Sequence, residues 1–221
     1  MPFILGIAGV RFAISRFCPT ESQLATDYTD FTRPRKIGAM ALTATVYNLK
    51  IHLSDSDRNV YESLDLRVAQ QPSETPENML MRVLAYCLEY RDGIVFTEGI
   101  AAGDEPAVLV RDLTGRITAW IEVGLPDAQR LHRGMKMAGA AAVYTHRDAR
   151  KLVAQLSAEK IHRASEIPIH AIEKSFIEEL GSLIERRSEL SMSVFDREIS
   201  LNIRDRNLTT TVVAHRLASE K

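Results

Sequence analysis

Cysteine is almost absent. Cys18 and Cys87 are the only two. That excludes a disulfide framework, and neither stands in a Cys/His cluster with zinc spacing. A reducing cytoplasm suits such a chain. Charge of one sign is missing too: 28 Lys and Arg stand against 29 Asp and Glu, a net charge of −1. This argues against a generic polyanion binder, so any nucleic-acid role needs a local basic patch. No apolar run is long enough to span a bilayer. Residues 3–14 come nearest, but the stretch is short and Arg11 interrupts it. As a secretory signal it lacks a basic start before its apolar core, so no membrane association is expected. There is no GxSxG elbow, Walker loop or GxGxxG. His52, His132, His146, His162, His170 and His215 are scattered without HExxH or paired spacing, which fits surface or core histidines better than metal ligands.

What remains is an ordinary globular composition, 45% hydrophobic and 26% charged, which is enough apolar side chain for a real core. The pattern is uneven along the chain. Residues 18–35 turn polar and hold no strand or helix period, whereas Met40 opens a regular alternation. Residues 1–39 are therefore read as a tail outside the fold, disordered or translated from an upstream start codon. Glu21, Asp27 and Asp30 argue against a targeting peptide. The tail holds five cations and three acids, leaving 23 and 26 in residues 40–221, a balance of −3. Those residues are read as one α/β domain.

Alternating positions from Thr43 to Leu53, a Ser- and Asp-rich turn over 54–59, and alternation again over 60–69 predict an N-terminal hairpin. Thr75-Pro-Glu77 is a helix start: a capping hydroxyl, a proline in the first turn and an acid at the positive end of the dipole. Leu80, Val83, Leu84, Cys87 and Leu88 carry its apolar spacing, and Asp92-Gly93 ends it. A short strand over 94–97 and a small-residue loop over 99–103 follow. A second hairpin is expected over 106–111 and 117–123, around Asp112-Leu-Thr-Gly115. Further helices are predicted after Pro126-Asp127 to Ala138, over 148–159 and over 174–186. Strands are predicted over 140–145, 167–172, 189–202 and 208–215. Residues 140–145 are apolar on both faces, as in a strand covered on both sides.

Glu122 stands out. It lies near the C-terminal end of the apolar strand Ile117-Thr-Ala-Trp-Ile-Glu-Val-Gly124, where a carboxylate is costly unless a cation or hydrogen bonds hold it. That makes it a metal-ligand candidate; pairing with an arginine such as Arg111 or Arg130 is the alternative. Trp120 shares its strand face and is expected in the core.

Helix, hairpin ending in an acid, then helix and strand is the layout of the PD-(D/E)xK nuclease superfamily. Met40-Ala-Leu-Thr-Ala-Thr-Val-Tyr, Pro72-Ser-Glu-Thr75, Asp104-Glu-Pro106 and Trp120-Ile-Glu-Val-Gly-Leu-Pro-Asp127 together resemble the YaeQ family of bacterial proteins, placed in that superfamily. The resemblance runs from Met40 to the C-terminus. It implies a restriction-endonuclease-like mixed sheet flanked by helices, with extra N- and C-terminal β-hairpins. It also implies Mg²⁺, which polarises a phosphate and activates water, held by Glu122, by an acid on the first core helix (Glu77) and by the carbonyl of Val123.

Two positions depart from the superfamily pattern. The aspartate after Pro106 is Ala107, and the lysine two residues after Glu122 is Gly124. Glu105 lies on the same strand face as Ala107, displaced by about 6–7 Å, and its longer side chain is a candidate replacement. Lys136 or Arg133, on the helix after Pro126, are candidate phosphate contacts and stand-ins for the lysine, although helical periodicity turns both toward solvent. Two functions follow from the resemblance. One is a Mg²⁺-dependent phosphodiesterase acting on nucleic acid. The other is a degenerate member that binds nucleic acid or another protein without cleaving it. Oligomeric state is left open.

Overall fold

Leu49, Ile51 and Leu53 are buried while their neighbours Lys50 and His52 are not, so strand β1 (Thr45–Asp55) has one wet face. The structure, a computed structural model, describes residues 44–97 and 105–217. The expected tail over 1–39 and the loop over 99–103 lie outside the described residues. β1 pairs antiparallel with β2 (Val60–Gln70), which forms the N-terminal hairpin. Helix α1 (Pro76–Leu88) begins as the sequence predicts: the Thr75 side chain accepts from the Asn78 amide and Pro76 opens the first turn. Three short antiparallel strands follow: β3 (Ile94–Phe96), β4 (Val108–Arg111) and β5 (Ile117–Val123). Helix α2 (Ala128–Ala138) is capped by Asp127, and helix α3 (Ala149–Ser157) by Asp148. Between them runs β6 (Ala141–Thr145), buried at every residue. Strand β7 (Pro168–Ala171), helix α4 (Lys174–Leu183) and strands β8 (Arg187–Phe195), β9 (Glu198–Ile203), β10 (Arg206–Thr211) and β11 (Val213–Arg216) complete the chain.

The expected α/β class is what the structure has, with the strands in two mixed sheets. One has the order β11-β7-β6-β5-β4-β3, with β5, β6 and β7 mutually parallel. The N-terminal hairpin and strands β8 to β10 stand apart from this sheet, while β11, the last strand, forms one of its edges. β1 runs parallel to β8, giving a second sheet of order β10-β9-β8-β1-β2. Strand alternation then sorts the apolar residues into two cores. Ala119, Ile121, Ala142 and Tyr144 point toward α1, α4 and the second sheet. Trp120, Ala141 and Val143 point the other way, onto Leu131 and Met135 of α2 and Leu152 and Leu156 of α3. Glu122 therefore lies on the α2 side of its strand.

Two boundaries differ from the sequence reading. The run 189–202 alternates without a break, yet the chain turns back at Asp196 and Arg197, both left-handed (φ 47° and 62°). No glycine marks this turn. Asp57, from the other hairpin, accepts hydrogen bonds from both turn amides at 2.8 and 2.9 Å. Helix α4 also stops at Leu183, because Ile184 is already extended.

Gly134 of α2 is a packing requirement. A Cβ there would lie 2.4 Å from Trp120 Cγ, and the indole is 2% exposed. Gly134→Ala is therefore expected to lower stability by about 1–3 kcal/mol, overpacking outweighing the better helix propensity of alanine. Trp120 is the only tryptophan, so its emission in a urea titration reports both the shift in midpoint and any displacement of the ring. An unchanged midpoint would show that the helix moves aside at no cost.

Candidate functional site

Strand β5 ends where α1 begins and α2 departs, and these three elements enclose an open cleft of about 550 Å³. Gly124 makes the exit from β5 possible. Its φ is +88°, and its amide donates to Tyr144 O at 2.9 Å. Glu122 lines the cleft and is 3% exposed. Three donors converge on its carboxylate. Arg130 Nε lies 3.0 Å from Oε1, Arg130 Nη2 lies 3.2 Å from Oε2, and Trp120 Nε1 donates to Oε1 at 2.8 Å. Burial pushes the Glu122 pKa above its ordinary value, with Arg130 and the indole pulling it back. A protonated carboxyl would find no acceptor among those three donors, which favours the anion. Of the two arginines expected as structural partners, Arg130 is the one in place; Arg111 Nη1 instead donates to Gly115 O at 3.1 Å.

A second ion pair sits on the α1 side. Arg82 Nη2 donates to Glu74 Oε2 at 2.9 Å, and Arg82 Nε lies 2.8 Å from Oε1. The two side chains are 6% and 2% exposed. Asn78 Nδ2 donates to Glu74 Oε1 at 3.2 Å, and the Gln71 amide donates to Oε2 at 3.3 Å. Arg147 and Asp127 complete the charged lining. The cleft thus holds three arginines (Arg82, Arg130, Arg147) and three acids (Glu74, Glu122, Asp127).

The candidate metal ligands are not gathered. Among the described residues, no group of three or more His, Cys, Asp and Glu converges as a metal would require. Glu105 enters through its backbone, its carbonyl accepting from Arg130 Nη2 at 2.6 Å, and its side chain is not part of the cleft lining. Glu77 is engaged within the first turn of its own helix: hydrogen bonds from its own amide and the Thr75 hydroxyl lower its pKa. The acid that reaches the cleft beside α1 is Glu74, one residue before the cap. Val123 lines the cleft. Lys136 and Arg133 are exposed on α2, outside the cleft lining, and the α2 cation at the strand end is Arg130, one turn earlier. The residues present do not fit a Mg²⁺ centre, because guanidinium and indole already occupy the carboxylate that would anchor it.

The family model for YaeQ protein matches residues 40–212. The chain belongs to the YaeQ family. YaeQ of Escherichia coli K12 is 31% identical over 177 residues, covering 79% of this chain and 97% of that protein. YaeQ of Salmonella typhi is 30% identical over 176 residues, with the same coverage of both chains. Among solved structures, YaeQ of Xanthomonas axonopodis pv. citri superposes with a TM-score of 0.73 at 29% identity, covering 80% of this chain and all of that one. YaeQ of Pseudomonas syringae gives 0.71 at 27%, covering 80% and 97%. The YaeQ match and the mixed α/β fold agree with the sequence expectations. Among the described residues no helix is long and apolar enough to cross a membrane.

Sequence reasoning missed Arg82 and Glu74 as cleft residues. Arg82 occupies a helical position between apolar Met81 and Val83, and a cation inside an apolar run was the available signal. Glu74 stood within Pro72-Ser-Glu-Thr75 with nothing local to separate it from a loop acid. Gly124 also bears on the missing lysine. A Cβ at this position would stand 3.2 Å from Asn78 Oδ1 on a left-handed backbone. Gly124→Lys is expected to destabilise the domain by about 1–2 kcal/mol without conferring Mg²⁺-dependent cleavage, as thermal melts and a nuclease assay would check.

Proposed function

We propose that this protein is a non-catalytic binding module on a nuclease-like scaffold, and that its cleft receives a segment of another protein. One observation carries the reading: both oxygens of Glu122 are engaged by Arg130, at 3.0 and 3.2 Å. A carboxylate held this way has little capacity left for a divalent cation, which demands its own oxygen ligands at about 2.0–2.6 Å. Ala107 and Gly124, in place of an aspartate and a lysine, support the same conclusion. The partner class follows from charge. Arg82 and Arg130 are already neutralised by Glu74 and Glu122, so a polyphosphate chain would gain no net positive field. A peptide carrying both signs can exchange ion pairs with Asp127 and Arg147 at the mouth.

Calorimetry with MgCl₂ and fluorescence anisotropy with labelled single- and double-stranded oligonucleotides at low salt test this together. The expected result is no Mg²⁺ heat and no salt-sensitive oligonucleotide binding. Mg²⁺-dependent cleavage that disappears in Glu122→Ala would overturn the reading and establish the phosphodiesterase.

A further inference from the structure

A second cavity of about 550 Å³ lies on the seam between the two sheets, lined by residues of both. The β1–β2 turn and the β8–β9 turn supply one side of it, and β6, β7 and β11 the other. We propose that this cavity is a binding site for a small organic anion, with a flat apolar body and one carboxylate or phosphate head. It is separate from the cleft and independent of the binding reading given above.

The flat body has a matching wall. Tyr144 and His170 stack at 4.7 Å and 25°, and the Tyr144 hydroxyl is anchored on Glu89 Oε1 at 2.8 Å. The His170 ring has no hydrogen-bond partner among the described residues. Burial and the charge of Arg197 hold its pKa at about 4, so at neutral pH it presents an uncharged ring. Its cross-strand neighbour on β11 is Ala214, whose small side chain leaves space beside the imidazole. Val194 and Val212, both buried, extend the apolar surface.

The anionic head has two guanidiniums. Arg197 and Arg216 line the cavity, and neither side chain has an ion-pair or hydrogen-bond partner among the described residues. The acids nearby are already used. Asp55 binds Arg58, Nε to Oδ2 at 2.7 Å, and both Asp57 oxygens accept the amides of Asp196 and Arg197. Arg197 also sits where glycine is the natural choice. Its φ is 62°, a conformation that disfavours any side chain with a Cβ. The Asp57 bonds and a 2.8 Å bond from the Val212 amide to Arg197 O pin that backbone in place. Strain retained at a fixed, cavity-lining arginine points to a use for the side chain. A carboxylate or phosphate suits a guanidinium fork, and the volume is that of a small-molecule site.

The test uses four probes on the full chain, read by calorimetry and saturation-transfer NMR: benzoate, phenyl phosphate, inorganic phosphate and benzamide. Benzoate or phenyl phosphate is expected to bind, and which of them does identifies the head as carboxylate or phosphate. Benzamide is expected not to bind, and inorganic phosphate to bind more weakly than phenyl phosphate. Arg197→Gly removes the guanidinium while relaxing the turn. It should melt no lower than the parent and lose about tenfold or more in affinity for the bound probe. Failure of both aromatic anions to bind, or equal binding by Arg197→Gly, overturns the proposal. Inorganic phosphate as tight as phenyl phosphate overturns the role of the Tyr144–His170 wall.

Discussion

Replacing Arg82 with methionine is expected to lower the unfolding free energy by about 3–5 kcal/mol, the cost of leaving one partner of a buried ion pair alone. Arg82 is the only charged residue among the eight buried residues of α1. Its guanidinium holds Glu74 and also donates to Ala69 O at 2.6 Å, tying the end of β2 to the helix that follows. Methionine would keep most of the volume but leave the Glu74 carboxylate with Asn78 and a backbone amide as its donors. The companion variant Arg82→Met/Glu74→Leu removes both charges and should recover much of the loss. Urea unfolding of the two single variants and the double variant gives the coupling energy. A single Arg82→Met variant as stable as the parent would show that the pair contributes nothing to the fold.

The second large effect is in acid. His170 titrates near 6.5 in the unfolded chain and at about 4 in the fold. Between those values the unfolded chain binds the proton and the folded one does not, so stability rises with pH across that window. The contribution is complete above about pH 6.5, and up to about 3 kcal/mol of it is lost as pH falls through 4. His146, also lowered by burial and by Arg147, acts with the same sign. Glu122 acts oppositely: its raised pKa stabilises the protonated form at low pH, a contribution lost as pH rises through the raised value. Comparison with His170→Phe, which retains a ring against Tyr144, isolates the histidine. The variant should lose less stability between pH 6.5 and 4 than the parent does, measured by chemical denaturation at each pH. Parallel curves would mean that His170 takes up its proton in the folded state as readily as in the unfolded one.

Most elements were legible because their signals are local. The Thr75 cap, the Pro126-Asp127 helix start and the doubly buried β6 all follow from a few adjacent residues. What escaped depends on residues distant in sequence. The turn at Asp196-Arg197 lacks glycine and is held by Asp57, whose carboxylate lies 139 and 140 positions away from the two amides. The pairing of β1 with β8 leaves no mark in either strand. The site was read in the same uneven way. Glu122 was identifiable as a buried strand-end acid and Arg130 as one of two partners. The resemblance points to an acid on the first core helix, Glu77, whereas the acid that reaches the cleft is Glu74, one residue before the Thr75 cap.

The parallel contact between β1 and β8 also determines when the domain can assemble. His52 and Glu189, which meet across it at 2.9 Å, are 137 residues apart. As the chain emerges from the ribosome, the first hairpin is made before its neighbour strand, which follows only after β3 to β7 and all four helices have been synthesised. Until then the apolar side of that hairpin has no adjoining sheet to complete it. Such late closure raises contact order and slows folding, and a nascent chain with an uncovered β surface is the kind of species that holding chaperones protect.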